Sequence, residues 1–311
     1  MILYKNKGIL PSIWHFHTGP TAKSLLRRLV VVGIYVTVVT VAEMHYTDLR
    51  LKDTPGSFLG AMGILLSLLL IFRTNTAYDR FYEGRQAWGE LVNNCRNLAI
   101  FFNAVLPEGD KDSRLFFAKA ISNFPFALKN HLRDMSKMNE NELDIVEEGE
   151  RRDLSNFDHK PAGVANQLWV KTEALYRAGH ISESQHINLN QHLTTLMDVC
   201  GICERIKSTP IPFSYMLFIK LFIMLYVALL PFTVVTAFGY LTIPAVVLTS
   251  YILVGLEMIG EEIEEPFGME RNDLPLNQLS QLIRVNVHDI LQIYLPHVEK
   301  QAARPGFTIV T

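Results

Sequence analysis

Cysteine is scarce: three residues in 311, too few for a disulfide framework and in keeping with a chain whose bulk sits in a reducing compartment. Charge is scarce as well. Asp, Glu, Lys and Arg make up 19% of the chain and balance to −2, which excludes a nucleic-acid binder held by bulk positive charge. No G-x-G-x-x-G, Walker A run or G-x-S-x-G occurs, so phosphate-cradling and nucleophile-elbow enzymes have no motif to rest on and no cofactor is expected. Sustained period-two alternation and internal repeats are also missing, which points to an all-α chain. What is plentiful is apolar: hydrophobic residues reach 49%, mean hydropathy is +0.16, and these side chains gather in uncharged runs too long for an ordinary core.

The first run, Leu29 to Ala42, lies between Arg27, Arg28 and Glu43. It falls short of a bilayer core of about 30 Å, so it needs Leu25 and Leu26 and lets the arginines snorkel. The length of chain before it argues against a secretory signal peptide. Thr54 to Phe72, the second run, spans comfortably. Leu221 to Leu256 holds 36 uncharged residues, about 54 Å at helical rise, which exceeds one crossing. Gly239, between Pro231 and Pro244, supplies a break, and a reversal is expected near Phe238 to Thr242. Four spans result.

Lys23, Arg27 and Arg28 precede the first span and Arg73, Arg80 and Arg85 follow the second, which puts both termini on the cytoplasmic side. The expected division is a cytoplasmic segment 1–24, spans one and two in 25–72, a cytoplasmic helical region 73–207, spans three and four in 208–258 and a cytoplasmic tail 259–311. Within the insertion, Tyr78 to Val105, Lys111 to Met135, Val164 to Ala178 and Ser182 to Lys207 place apolar residues at intervals of three and four. Ser182 and Gln185 fit a capping box after Gly179, and Pro107, Glu108 and Gly109 stop an earlier helix. Lys137 to Lys160, rich in Glu, Asp and Asn, reads as an exposed linker.

Cys200 and Cys203 make a lone CxxC on an expected helix, better read as two buried thiols than as a redox pair. His15, His17, His180, His186 and His192 lack the spacing of a metal motif; a membrane enzyme or metal sensor built on these histidines and cysteines is the competing reading. Glu257, Glu261, Glu262, Glu264 and Glu265 follow the last span. Stacked at i, i+4 and i+8, Glu257, Glu261 and Glu265 could draw cations toward an ion pathway, or simply solvate a helix end. In the second span, Gly56, Gly60 and Gly63 form a flank for close helix approach, while Ile64, Leu68 and Phe72 form an apolar stripe. Around an axis, several copies of that stripe would make a collar able to stop ions by dewetting.

The stretch from Ile64 through Phe72, Arg73 and Asn75 to Tyr78, Arg80, Arg85, Trp88 and Gly89 resembles the segment after the second span of bestrophins, the bacterial branch above all. Thr209-Pro-Ile-Pro212-Phe, Leu230-Pro231-Phe, Glu261 through Pro266-Phe-Gly268 and Asn272-Asp-Leu-Pro-Leu276 match in the same order, so the resemblance covers nearly the whole chain.

This resemblance implies a homopentameric ion channel of a bacterial inner membrane, with self, membrane lipids and monovalent ions as its partners and no nucleic acid. The family's pore neck falls on Ile64, Leu68 and Phe72. Animal bestrophins are calcium-activated anion channels with aromatic residues at the second and third neck positions; here Leu68 departs from that pattern. Bacterial members include cation channels, and the expectation leans to monovalent cations over chloride. Counting back from Pro212, the cytoplasmic exit constriction falls on Ser184. Calcium enters only through the family's clasp, for which Glu270 and Asp273 alone offer carboxylates at matching positions, with Arg271 among them. Calcium wants six to eight oxygens, so tight binding is not expected.

Overall fold

The structure, a computed structural model, describes residues 2–3, 20–46, 56–135, 157–270, 272–294 and 308–309. Eight α-helices carry these residues. They are α1 (Pro20–His45), α2 (Gly56–Val105), α3 (Lys111–Leu132), α4 (Lys160–Arg177), α5 (Glu183–Ser208), α6 (Phe213–Phe238), α7 (Thr242–Glu264) and α8 (Leu276–Ile290). The expectation of an all-α chain holds with one small addition, an antiparallel pairing of β1 (Ile2–Leu3) with β2 (Thr308–Ile309). Two compact units divide the chain. One holds Arg80–Thr209 and Glu265–Thr311 with Met1–Tyr4, the other Lys5–Asp79 and Pro210–Glu264.

In the second of these units, three stretches are long and apolar enough to cross a membrane: Thr21–His45, the start of Gly56–Val105, and Phe213–Glu264. The chain is a membrane protein. Helix α1 opens on Pro20, whose fixed φ suits a first helical position. Its run of Val and Thr is poor helix material in water, but in lipid a helix is the one way a single segment satisfies its own backbone. The third stretch breaks where expected: α6 stops at Phe238, Gly239 takes φ +53°, and a 3₁₀ turn Gly239–Leu241 leads into α7. Lys220 Nζ then lies 2.9 Å from Glu261 Oε1 across 41 residues of sequence, which requires the chain to double back. The tight core of this unit is small, with Leu66 and Leu70 of α2 against Ile219, Ile223 and Val227 of α6, and Leu25 and Leu29 of α1 against Met258 of α7.

Helix α2 differs from the expectation of a span followed by a separate helix. It runs unbroken for 50 residues, about 75 Å, because nothing between Phe72 and Tyr78 interrupts hydrogen bonding. Past Arg80 it enters the other unit, where Trp88, Leu91, Cys95, Leu98 and Phe102 pack with Phe117, Ile121 and Phe124 of α3 and Leu189, Leu193, Leu196 and Cys200 of α5. Phe102 and Phe117 stack with centroids 3.6 Å apart. Arg114 of α3 closes the end of α2 by donating to Asn103 O, an orphaned carbonyl of its last turn, and to Leu106 O and Pro107 O just beyond it. Asp110 caps α3 by accepting the Ser113 N–H, and that bond holds its carboxyl below the usual aspartate range.

The capping box of α5 forms in full, with Ser182 and Gln185 each accepting from the other's backbone N–H. Helix α4 starts four residues before the expected Val164, because His159 caps it and Pro161 fits its first turn. Helix α8 was not anticipated. It buries Leu276, Leu279, Ile283 and Val287 at helical spacing, the stripe that packs it onto the core. Of the expected linker, residues 137–156 lie outside the described residues.

Candidate ion-conduction site

Helix α2 has two faces in the membrane unit. Leu66, Leu70, Arg73 and Ala77, at intervals of four, three and four, are buried toward the other helices of the unit. Ile64 and Leu68, each about 160° around the helix from Leu66, point away, as does Phe72; they are 73%, 47% and 55% exposed. The neck residues named from the sequence thus share one free face of one rigid helix. Leu65 and Ile71 widen it into an apolar arc. Polar ligands are few there: the hydroxyls of Ser67, Thr74 and Thr76 all donate back to carbonyls four residues earlier, Gly63, Leu70 and Phe72.

Of the glycine flank, Gly63 is the one with a close neighbour. A Cβ there would meet the Tyr226 hydroxyl at 2.8 Å, whereas Gly56 and Gly60 face open space. Beside them a groove of about 570 Å³ runs along α2, lined by Gly60, Gly63, Ile64, Ser67, Leu68 and Tyr226 among others.

The carboxylate run resolves into different roles. Glu257 departs from the expected ladder of solvent-facing acids: it is 2% exposed and held by Arg73 at 3.0 Å, Lys220 at 3.5 Å and Arg28 at 3.6 Å. Its charge is spent inside the protein. Glu261 is exposed and paired with Lys220. Glu262 accepts the Thr21 hydroxyl. Glu264 is buried and accepts the Ile211 N–H at 3.0 Å, which ties the Thr209-Pro-Ile-Pro212 segment to the end of α7. Glu265 is exposed. Arg73 directly follows Phe72, so its bond to Glu257 also fixes the rotation of α2 that turns Phe72 outward.

In the other unit, Ser184 sits exposed in the first turn of α5, its Oγ 3.3 Å from that of Ser182. One turn further Ile187 is 62% exposed, an apolar side chain at the same helix end that the sequence reading passed over. Asp273 is buried and accepts the Glu270 N–H at 2.6 Å, while Leu274 N–H reaches Pro266 O. A Cβ on Gly268 would lie 2.5 Å from Asp273 Oδ2, so the carboxylate packs onto its own loop. Glu270 is exposed, and Arg271 lies outside the described residues, as do His15 and His17.

His180, His186 and His192 do not come together. His186 pairs with Glu173 and stacks on Tyr176, and His192 bonds Asn94. Cys200 and Cys203 are buried thiols; burial pushes the Cys200 pKa far above the usual thiol range and that of Cys203 up to about 12, which suits packing rather than redox work. A different set, His131, His159 and Glu204, gathers on one side of Cys200. Burial pushes the Glu204 carboxyl up, but hydrogen bonds from His159 and His131 outweigh it and hold it below the usual glutamate range.

The model of the bacterial and fungal bestrophin proteins matches residues 1–289. The chain belongs to the bestrophin family. It is 38% identical over 233 residues to the voltage-dependent anion channel-forming protein alr2987 of Nostoc, covering 74% of this chain and 76% of that one. To the voltage-dependent anion channel-forming protein YneE of Escherichia coli K12 it is 32% identical over 282 residues, covering 90% and 89%. A bacterial bestrophin homologue from Klebsiella pneumoniae, solved by zinc phasing, superposes with TM-score 0.81 at 26% identity, covering 87% of this chain and 99% of that one. These likenesses make this bestrophin an ion channel and not an enzyme.

Proposed function

We infer that five copies of this chain surround one axis and conduct monovalent ions passively through a collar of Ile64, Leu68 and Phe72. The observation that carries this reading is the free apolar face of α2: three large side chains at intervals of four, backed by buried Arg73 and bare of unpaired hydroxyl donors. Such a collar holds no fixed charge and discriminates by width and dehydration cost. Helices α1, α6, α7 and the first half of α2 are the four spans, in a bacterial inner membrane with both termini cytoplasmic. The chain enters lipid from the cytoplasmic side after residues 24 and 207 and returns to that side after residues 72 and 258. Ser184, with Ile187 beside it, lines the exit constriction, and the Glu270–Asp273 loop serves as a structural belt with calcium a weak ligand at most.

The sign of the ion is set by charges beyond the collar. On exposed Glu261 and Glu265 we assign the preference to monovalent cations. Anion passage is the second reading, favoured by the names of the relatives and by the three cations that absorb the charge of Glu257. The reversal potential of the purified protein in a planar bilayer under a tenfold NaCl gradient separates them: movement toward the sodium potential supports the first reading, movement toward the chloride potential the second. Channel silence in wild type and in every collar variant would overturn both.

A further inference from the structure

His131, His159 and Glu204 are the group of metal-ligating side chains that the fold gathers among the described residues. They come from three elements of one unit: the last turn of α3, the N-cap of α4 and the C-terminal third of α5. Nε2 of each ring lies 2.6 Å from the same oxygen, Oε1 of Glu204, and the ring centroids are 4.5 Å apart. The three side chains are 32%, 35% and 36% exposed, so water and ions reach them from one side. On the other, Cys200 Sγ stands 4.0 Å from His159 Nε2 and is itself buried.

Hydrogen bonding alone explains this arrangement poorly. A carboxylate offers two oxygens and about four lone-pair sites, and two rings that merely donate to it have no reason to crowd one oxygen. Half-exposed ion pairs also contribute little to stability. Ligands around a common centre do converge in this way. Nitrogen and oxygen ligands about 2.1 Å from a tetrahedral ion lie about 3.4 Å from one another, so an ion would enter after the side chains part by under about 1 Å. We propose that His131, His159 and Glu204 bind a divalent transition-metal ion of the zinc class, with the fourth position left to water or to Cys200. Two imidazoles and one carboxylate suit such an ion and not calcium or magnesium, which take oxygen ligands.

His159 gives the site a second consequence. Its Nδ1 accepts the Ala162 N–H at 3.1 Å, which assigns the proton of the neutral ring to Nε2, in the bond to Glu204. An ion that takes the Nε2 lone pair displaces that proton to water. A proton from water then occupies Nδ1, the usual form of a metal-bound imidazole, and the bond from Ala162 is lost. Occupancy therefore loosens the first turn of α4.

The full chain without a histidine tag, stripped with chelator in detergent, is titrated with Zn²⁺ and Co²⁺. The expected result is one ion per chain, a cobalt absorption spectrum of tetrahedral intensity, and faster hydrogen exchange at the Ala162 amide. Glu204→Gln and His131→Ala are each expected to weaken Zn²⁺ binding at least tenfold, and His186→Ala to leave it unchanged. If either variant fails to fold, wild type decides by carbethoxylation: saturating Zn²⁺ should slow labelling of His131 and His159 at least tenfold and spare His180. Sub-stoichiometric binding, an octahedral cobalt spectrum, undiminished binding in both folded variants, or equal labelling of the two rings with and without zinc would each overturn the proposal.

Discussion

The two units solve the same packing problem with opposite means. In the unit built on Arg80–Thr209 and Glu265–Thr311, Trp88, Phe102, Phe117 and Phe124 are fully buried and the core is one continuous cluster. In the unit built on Lys5–Asp79 and Pro210–Glu264, tight contacts are few, and Val31, Ile34, Ile64, Met224 and Leu248 stay more than half exposed. Water drives the first arrangement, because each buried aromatic gains from leaving it. It cannot have driven the second. Helices that face lipid lose little by remaining apolar outside, and they associate through close packing, as at Gly63 and Tyr226, and through buried polar bonds.

Those polar bonds carry the largest expected effect. Arg73 is 1% exposed, and Glu257 answers its charge from another helix. Glu257→Ala should destabilise the membrane unit by about 3–5 kcal/mol, since it strands a buried guanidinium. Thermal unfolding in detergent measures it, and a loss below about 1 kcal/mol would mean that water or lipid already compensates Arg73. A matched pair of surface changes sharpens the contrast. Ile34→Lys, midway along α1, should cost about 2.5–3.5 kcal/mol of insertion free energy. Val170→Lys, equally exposed on α4, should stay within about 0.5 kcal/mol. Equal costs in a membrane-insertion assay would erase the distinction between the units. A smaller effect lies at the start of α3, where Asp110→Ala removes the acceptor of the Ser113 N–H and should cost about 1 kcal/mol in thermal stability.

Sequence legibility follows the same boundary. Hydropathy marks where the solvent changes and not where a helix ends, which is why the run stopping at Phe72 hid a helix continuing to Val105. The break at Gly239 and the capping box at Ser182 were readable because each is a local requirement of a few adjacent residues. Helix α8 carries an equally clear stripe but follows an acidic, proline-containing stretch that reads as tail. Glu257 and Arg73, 184 residues apart, and His159 and Glu204, 45 apart, meet only through the fold, and no spacing rule links them. An acid run in sequence therefore showed where carboxylates cluster, but not that one of them is spent on an internal arginine.

The smallest expected effect on stability belongs to the residue with the largest expected effect on function. Leu68 is 47% exposed on the free face of α2, and none of the clustered core residues includes it. If it belongs to a collar, its neighbours across the axis are other copies of itself and, when the pore is wet, ions and water. Leu68→Ala should then leave thermal stability within about 0.5 kcal/mol, as for a surface site. It should also raise single-channel conductance, because widening an apolar constriction lowers the dewetting barrier. A residue that packs against lipid or a neighbouring helix would behave in the opposite way, with reduced assembly and unchanged conductance. Phe72→Ala provides the paired test one turn along. Its aromatic ring follows the same face but sits directly before Arg73, so a rise in conductance accompanied by lost stability would show that collar and ion pair are mechanically joined.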